Sequence, residues 1–561
     1  MRSPMLFRLV ELRGSVAAAM VAGLMQTLPT NAAAAFPQLR VDGGATQLIV
    51  DGQPFLIRGG ELGNSTASSP CYLDQFWGKL ERMGLNTVLA PAYWELIEPG
   101  EGKFDFQTVD GLIKQARRHH LHVVLLWFGS WKNGASSYVP AWIKRDQARF
   151  ARVERSSGAG LEILSAVSAD NLEADAQAFS TLLDHLRAVD GMRHTVIMVQ
   201  VENEIGLKPE ARDHSAAANV VFAAPVPAEL ISHLTAHRNQ LAPEVESAWR
   251  SHGFKSGAGW EETFGAGPQT DELFNAWVEA RYTGLVAARG KAKYNLPLYV
   301  NAALIREGFE PGRYPSGGPL PHLFDIWHAA APAIDLISPD LYFPNFPEWT
   351  AKYSRPDNVL FVPEVGGTTV EEMAANAFFA IGELNAIGFS PFGIETFSDE
   401  QAKTIAHCYA VLEQLTPLIV ANRGNRKMHG MRPMIHYDGT VESQPQRFEL
   451  GAYQFSAAFP PSGSFIDPAS SSNPVLAHGG LIVQTGPDEF VVAGTGVTLS
   501  FAANDVGNPL AGALEIQEGH FSSGRWKPGR YLNGDETDNG RHVHLPMHDL
   551  GILRVRLYRY H

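Results

Sequence analysis

Eight short apolar or β-rich runs punctuate the first three quarters of the chain, at residues 55–60, 86–91, 122–128, 196–201, 298–301, 334–341, 359–363 and 389–394. Most lead into a segment with helical periodicity, as at 74–83, 109–119, 174–189, 270–288 and 369–384. Strands that are apolar on both faces need cover on both, which a parallel sheet with crossover helices supplies. Eight repeats predict an α/β fold built on a (β/α)8 TIM barrel. A doubly wound open sheet is the alternative. Against it, no G-x-G-x-x-G follows the first strand, and Gly494-Thr-Gly496 falls late, in a β-rich turn. The repeats average roughly 48 residues, against ~31 in a 250-residue barrel. The excess is assigned to loops, chiefly 206–265 and 307–321, which on the strand-to-helix side would wall the barrel mouth.

Past about residue 414 the pattern changes to short alternating strands at 480–484, 489–493, 497–501 and 551–557, parted by Gly486-Pro487, Asp438-Gly439 and Asn533-Gly534 turns. This predicts a barrel over 36–413 and a β-sandwich-like domain over 414–561, with 462–474 a surface loop. Residues 1–35 carry Arg2, Arg8 and Arg13, an apolar run at 15–25 and a small-residue exit, Asn31-Ala-Ala-Ala-Ala35. They have the form of a secretory signal peptide cleaved near Ala35, so a periplasmic or extracellular protein is expected. The run is too short to span a bilayer, and later stretches of ~20 residues are broken by charges or prolines.

With 45 Lys and Arg against 59 Asp and Glu, the net charge is −14, and no basic block offers a grip on nucleic acid. Cys71 and Cys408 read as two unpaired thiols. His119-His120-Leu-His122 falls on the stability face of a barrel, and His542-x-His544 with His548 lacks a completing ligand. Neither a metal nor a cofactor is expected, and the oligomeric state is not legible.

The strongest local signal is Val199-Gln-Val-Glu-Asn-Glu-Ile-Gly206, which ends the fourth strand. Alternation would put Glu202 and Glu204 on one face and Asn203 on the other. The second is Phe361-Val-Pro-Glu-Val-Gly-Gly367, a strand ending in Glu364 before a glycine turn, at the seventh repeat. Polar groups at the C-terminal rim of barrel strands are costly to bury unless used. Glycoside hydrolysis needs two carboxyl groups flanking one bond, and strands four and seven face each other across a barrel mouth. Further candidates for contacts to a sugar stand at the other strand ends: Glu61; Trp94 and Glu95; Trp127, Trp131, Lys132 and Asn133; Asn301; Asp340 and Tyr342; and Glu395.

Asn203-Glu204 with Glu364 resembles the clan of retaining (β/α)8 glycoside hydrolases, and the fourth-strand motif is similar to the acid/base motif of family 35 β-galactosidases. Leu80-Glu-Arg-Met-Gly-Leu-Asn-Thr-Val, Tyr93-Trp94-Glu95 and the segment 98–106 resemble the second-strand region of families 35 and 42. The resemblance covers roughly residues 45–410. It implies Glu204 as acid/base, Glu364 as nucleophile and Asn203 as a partner of the sugar 2-hydroxyl. Two departures mark a divergent subgroup: Ser130 stands where the family has a galactose-binding glutamate, and Pro91-Ala-Tyr-Trp-Glu95 replaces Tyr-Val-Pro-Trp-Asn. The expectation is a secreted retaining exo-β-galactosidase acting on oligo- or polysaccharides, with carboxyl groups ~5 to 5.5 Å apart. Alternatives are a β-glucosidase, β-mannosidase or arabinosidase on the same scaffold, a transglycosylase, or a non-catalytic glycan-binding protein.

Overall fold

A computed structural model of the chain describes residues 36–561 other than 137, 461–476, 505–508 and 548. The signal-like segment, the 462–474 loop and His548 thus lie outside the described residues. Eight parallel strands close into a barrel in sequence order: β1 (Ile57–Glu61), β2 (Thr87–Tyr93), β3 (His122–Lys132), β4 (Val196–Asn203), β5 (Leu298–Ala303), β6 (Leu336–Leu341), β7 (Val362–Val365) and β8 (Gly388–Pro391). Each is followed by a helix on the outside: α1 (Trp77–Arg82), α2 (Gln107–Arg118), α3 (Ala169–Asp190), α4 (Pro268–Lys293), α5 (Phe324–Ala330), α6 (Phe346–Tyr353), α7 (Val370–Leu384) and α8 (Asp399–Asn422). Strand β2 is buried along its whole length, as a strand sandwiched between barrel interior and helices must be.

The barrel closes where β8 pairs with β1, Gly388 opposite Ile57. Helix α8 latches this seam: the Tyr409 hydroxyl donates to the carbonyls of Gly59 (2.6 Å) and Phe389 (3.1 Å). By length and apolarity α8 would pass as a membrane span, yet Ile405, Cys408, Val411, Leu412, Leu415 and Ile419 form one face packed into the barrel core. The expected boundary at 413/414 falls inside this helix, and the first strand beyond it begins at Met428. Cys408 is buried and Cys71 exposed, and they are unpaired.

The excess length is not loop alone. Residues 206–265 fold into four short helices, Ala216–Ala223, Ala228–Ala236, Pro243–Ser251 and Trp260–Phe264, and the β3–α3 connection carries a small hairpin, Arg152–Glu154 with Gly160–Leu164. The His-, Pro- and Gly-rich composition of 206–265 marks the breaks between those helices, each started by a serine, a proline or a glycine.

The C-terminal region is a sandwich of a six-stranded and a four-stranded antiparallel sheet. Tyr453, Phe455, Ile482, Phe490, Val492 and Leu499 fill the space between them. Alternation sends Leu481, Val483, Val491 and Ala493 to the other face, where they join the barrel's core against α7.

Candidate active site

Strand β3 determines what reaches the barrel mouth. Trp127 pairs with Val201 but Lys132 pairs with Asn203, so β3 crosses five residues where β4 crosses two. A bulge of this size re-aims the side chains beyond it. The Lys132 ammonium donates to Asn203 Oδ1 at 2.8 Å, and Asn133, held at φ 55°, donates its amide to Glu204 Oε2. Trp131 goes the other way. Its ring lies buried and edge-on to Tyr282 of α4, with centroids 4.7 Å apart, outside the barrel wall rather than in its mouth. Trp94 is likewise packing: its indole N–H donates to Glu98 and its ring leans on Trp127, which donates to Asp175 of α3. Neither tryptophan is a sugar platform, because the bulge and the start of the helix after β2 turn both into the strand–helix layer.

The β4 motif departs from strict alternation too. Glu202 and Glu204 both adopt left-handed backbone, φ 62° and 46°, a conformation that costs a non-glycine residue of order 1 kcal/mol and gathers at functional sites. Glu202 is thereby turned outward, fully buried, where Oε2 accepts from the Trp131 amide at 2.8 Å and the carboxyl group abuts Asp175. Burial, and then the Asp175 charge, push Glu202 well above the usual carboxylate range, so it serves as a proton donor to Asp175. Ser130 also donates to Asp175 and meets the Tyr282 hydroxyl at 2.9 Å. It belongs to this buried network and not to the mouth.

Glu204 and Glu364 are different. They keep 7% and 6% of their surface open, against 0% for Glu202, and they share one set of neighbours. Asn301 of β5 accepts from the Glu204 amide at 2.9 Å and donates to Asp340 of β6 at 2.6 Å. Asp340 is in register with Glu364 on β7 and hydrogen-bonds to it. The Tyr342 hydroxyl donates to Glu364 Oε1. Gly366 makes room for this: a Cβ there would sit 2.3 Å from the Tyr342 ring. Asn203 presents an amide nitrogen with no partner among the described residues.

Around this pair Glu61, on β1, is fully buried, and Glu395, after β8, accepts from Gly63 N at 2.9 Å and Thr66 Oγ1 at 2.5 Å. Burial and the charge of Glu364 push Glu61 and Asp340 well above the carboxylate range, with the Lys132 ammonium opposing. Glu364 is pushed up to about 7, by burial first and then by the charge of Glu204, with Lys132 and the hydrogen bonds from Tyr342 and Asp340 opposing. Glu61, Asp340 and Glu364 interact strongly enough to titrate together, and burial with mutual repulsion keeps their protons on to higher pH than an isolated carboxyl group would.

A cavity of about 360 Å³ opens beside Glu204, Asn133, Asp340 and Tyr342. Its far wall comes from residues that pattern reading passed over: Arg306, Phe309, Arg313 and Tyr314, with Lys208 and Phe343. The 307–321 segment had been expected to wall the mouth, but which side chains it lends depends on its anchoring. Leu207 and Ser316 form a β-bridge, and Gly206, at φ 140°, leaves only enough space for the Pro315 carbonyl, which a Cβ would meet at 2.5 Å. The histidines lie elsewhere: His119 stacks on Trp77 beside Glu81, and His544 bonds Thr498.

Residues 47–259 match the model of glycosyl hydrolases family 35, and residues 405–544 match a domain of unknown function, DUF5597. A β-galactosidase of Xanthomonas manihotis is 30% identical over 216 residues, which is 36% of this chain and 32% of that protein. The chain thus spans about a third of the length of this curated relative. Among solved structures, β-galactosidase from Marinomonas ef1 aligns with TM-score 0.45 and 12% identity over 65% of this chain and 60% of its own. The catalytic domain of β-amylase from Paenibacillus polymyxa aligns with TM-score 0.42 and 11% identity over 62% of this chain and 94% of its own. Over residues 47–259, which hold the first four barrel strands and the motif that ends β4, the chain is similar to the glycosyl hydrolases of family 35.

Proposed function

We propose that the chain is a secreted, retaining exo-glycosidase that releases terminal β-galactose from oligo- or polysaccharides. The observation that carries this reading is the shared setting of Glu204, just past β4, and Glu364 on β7: Asn301 accepts from the Glu204 backbone amide and donates to Asp340, which hydrogen-bonds to Glu364, and both carboxyl groups keep a few per cent of their surface open. In this reading Glu364, oriented by Tyr342 and Asp340, attacks the anomeric carbon. Glu204, held by Asn133, gives its proton to the departing oxygen, and then takes one from the water that frees the sugar. Asn203, positioned by Lys132, meets the 2-hydroxyl with its free amide nitrogen. Secretion rests on the composition of residues 1–35, and galactose on the likeness to the Xanthomonas enzyme.

A panel of nitrophenyl β-glycosides tests the sugar, and proton NMR of the first product tests the stereochemistry. The galactoside should be cleaved fastest and β-galactose should appear before its α-anomer. Early α-anomer would mean inversion. Undetectable hydrolysis, together with sugar binding that survives Glu364→Gln, would replace the enzyme with a glycan-binding protein.

A further inference from the structure

The cavity beside Glu204 carries three cations on its wall, Lys208 from the β4 exit and Arg306 and Arg313 from the segment after β5. None of them forms an ion pair with a carboxylate of the described residues. Arg313 lies over the Phe309 ring at 4.3 Å, which fixes its plane and leaves its N–H fork unused. Glu310, an acid on the same segment, is hydrogen-bonded by Gln269 of α4. In a chain of net charge −14, three such cations converge on the wall of one cavity. The floor of the same cavity is acidic, through Glu204 and Asp340, so the wall and the floor ask for different parts of a ligand. Guanidinium forks match carboxylate and sulfate oxygens.

We infer that this wall binds an anionic sugar, a uronate or a sulfate ester, on the side of the scissile bond that departs. The inference rests on the glycosidase reading, because it is Glu204 as proton donor that makes this side the leaving side. Phe309 and Phe343 would cover the apolar face of that ring while the cations hold its charged group. The neutral terminal sugar sits deeper, among Asn203, Asp340 and Glu364.

The test is binding to the full chain carrying Glu364→Gln, by calorimetry, with three probes: a β-galactosyl disaccharide ending in glucuronate, its glucose counterpart, and that counterpart sulfated. One or both anionic probes should bind about 10-fold more tightly at low salt, and the advantage should shrink several-fold at 0.2 M salt. It should fall toward one in Lys208→Ala/Arg306→Ala/Arg313→Ala, and invert in Arg306→Glu/Arg313→Glu, both checked by thermal melting. Whichever anion gains identifies the source of the charge. Equal behaviour of all three probes, including failure of all to bind, overturns the inference. The glycosidase reading is judged separately, by cleavage of nitrophenyl β-galactoside by the unmodified chain.

Discussion

Glu364 links chemistry to stability. A carboxyl group whose folded pKa is near 7 binds its proton more tightly folded than unfolded, where the usual value is about 4.5. Its contribution therefore declines as pH rises from about 4.5 to 7 and stays low above that, by roughly 3 kcal/mol at most. Glu364→Gln removes the charge and should raise the melting temperature at pH 7.5, while lowering kcat by about a thousandfold or more. Equal melting of the two proteins from pH 5 to 8 would contradict the burial and charge assigned to this group. Because Glu364 attacks as the carboxylate, kcat/KM should rise as pH passes about 7, where this group loses its proton, and a profile flat from pH 6 to 8 would contradict its role as nucleophile. Glu202 gives a contrasting expectation, since it supports rather than reacts. Glu202→Gln can still accept from Trp131 and donate to Asp175 and should fold well, whereas Glu202→Ala strands both partners and should cost about 2 to 4 kcal/mol in denaturant unfolding.

At the level of elements, the bulge of β3 and the anchoring of the 303–316 segment place most of what surrounds Glu204. Asn133 has left-handed backbone as well as a hydrogen bond to Glu204, so two substitutions separate these roles. Asn133→Gly should keep the turn and lose activity by about 10- to 100-fold, while Asn133→Ala should add a stability loss of about 1 kcal/mol. Gly206→Ala would push Pro315 away and should lower both stability, by about 2 to 4 kcal/mol, and sugar binding. The eight strands were legible because a buried parallel strand writes itself as a continuous apolar run, and Glu204 and Glu364 because each ends such a run. Trp131 and Trp94 were misplaced because period-two alternation holds only along regular strand, and neither a three-residue bulge nor a helix starting at Trp94 is visible in side-chain pattern. Arg306 and Arg313 were missed for a related reason. They sit in irregular chain, where position is set by a bridge to Leu207 and by nothing periodic.

For the whole molecule, the sandwich is not an appendage. One face of its larger sheet completes the barrel's core, with Leu481 and Ala493 fully buried against the helical layer, and Arg432 ties the sandwich to Asn376 of α7 at 2.8 Å. Leu481→Asp should therefore destabilise barrel and sandwich together, by about 3 kcal/mol or more, and unfolding followed by tryptophan fluorescence, which reports mainly the barrel, should coincide with loss of β-structure by circular dichroism. Two separated transitions would show that the shared core does not couple them. The hydroxyl of Tyr409 across the β1–β8 seam also bears on how the chain is made. Strand β1 leaves the ribosome before its partner β8 and the latch, which come some 330 to 350 positions later. Until then a nascent chain carries an open sheet with two unprotected edges, and a translation pause placed before codon 409 should yield a protease-sensitive intermediate that resists digestion once the latch residue has emerged.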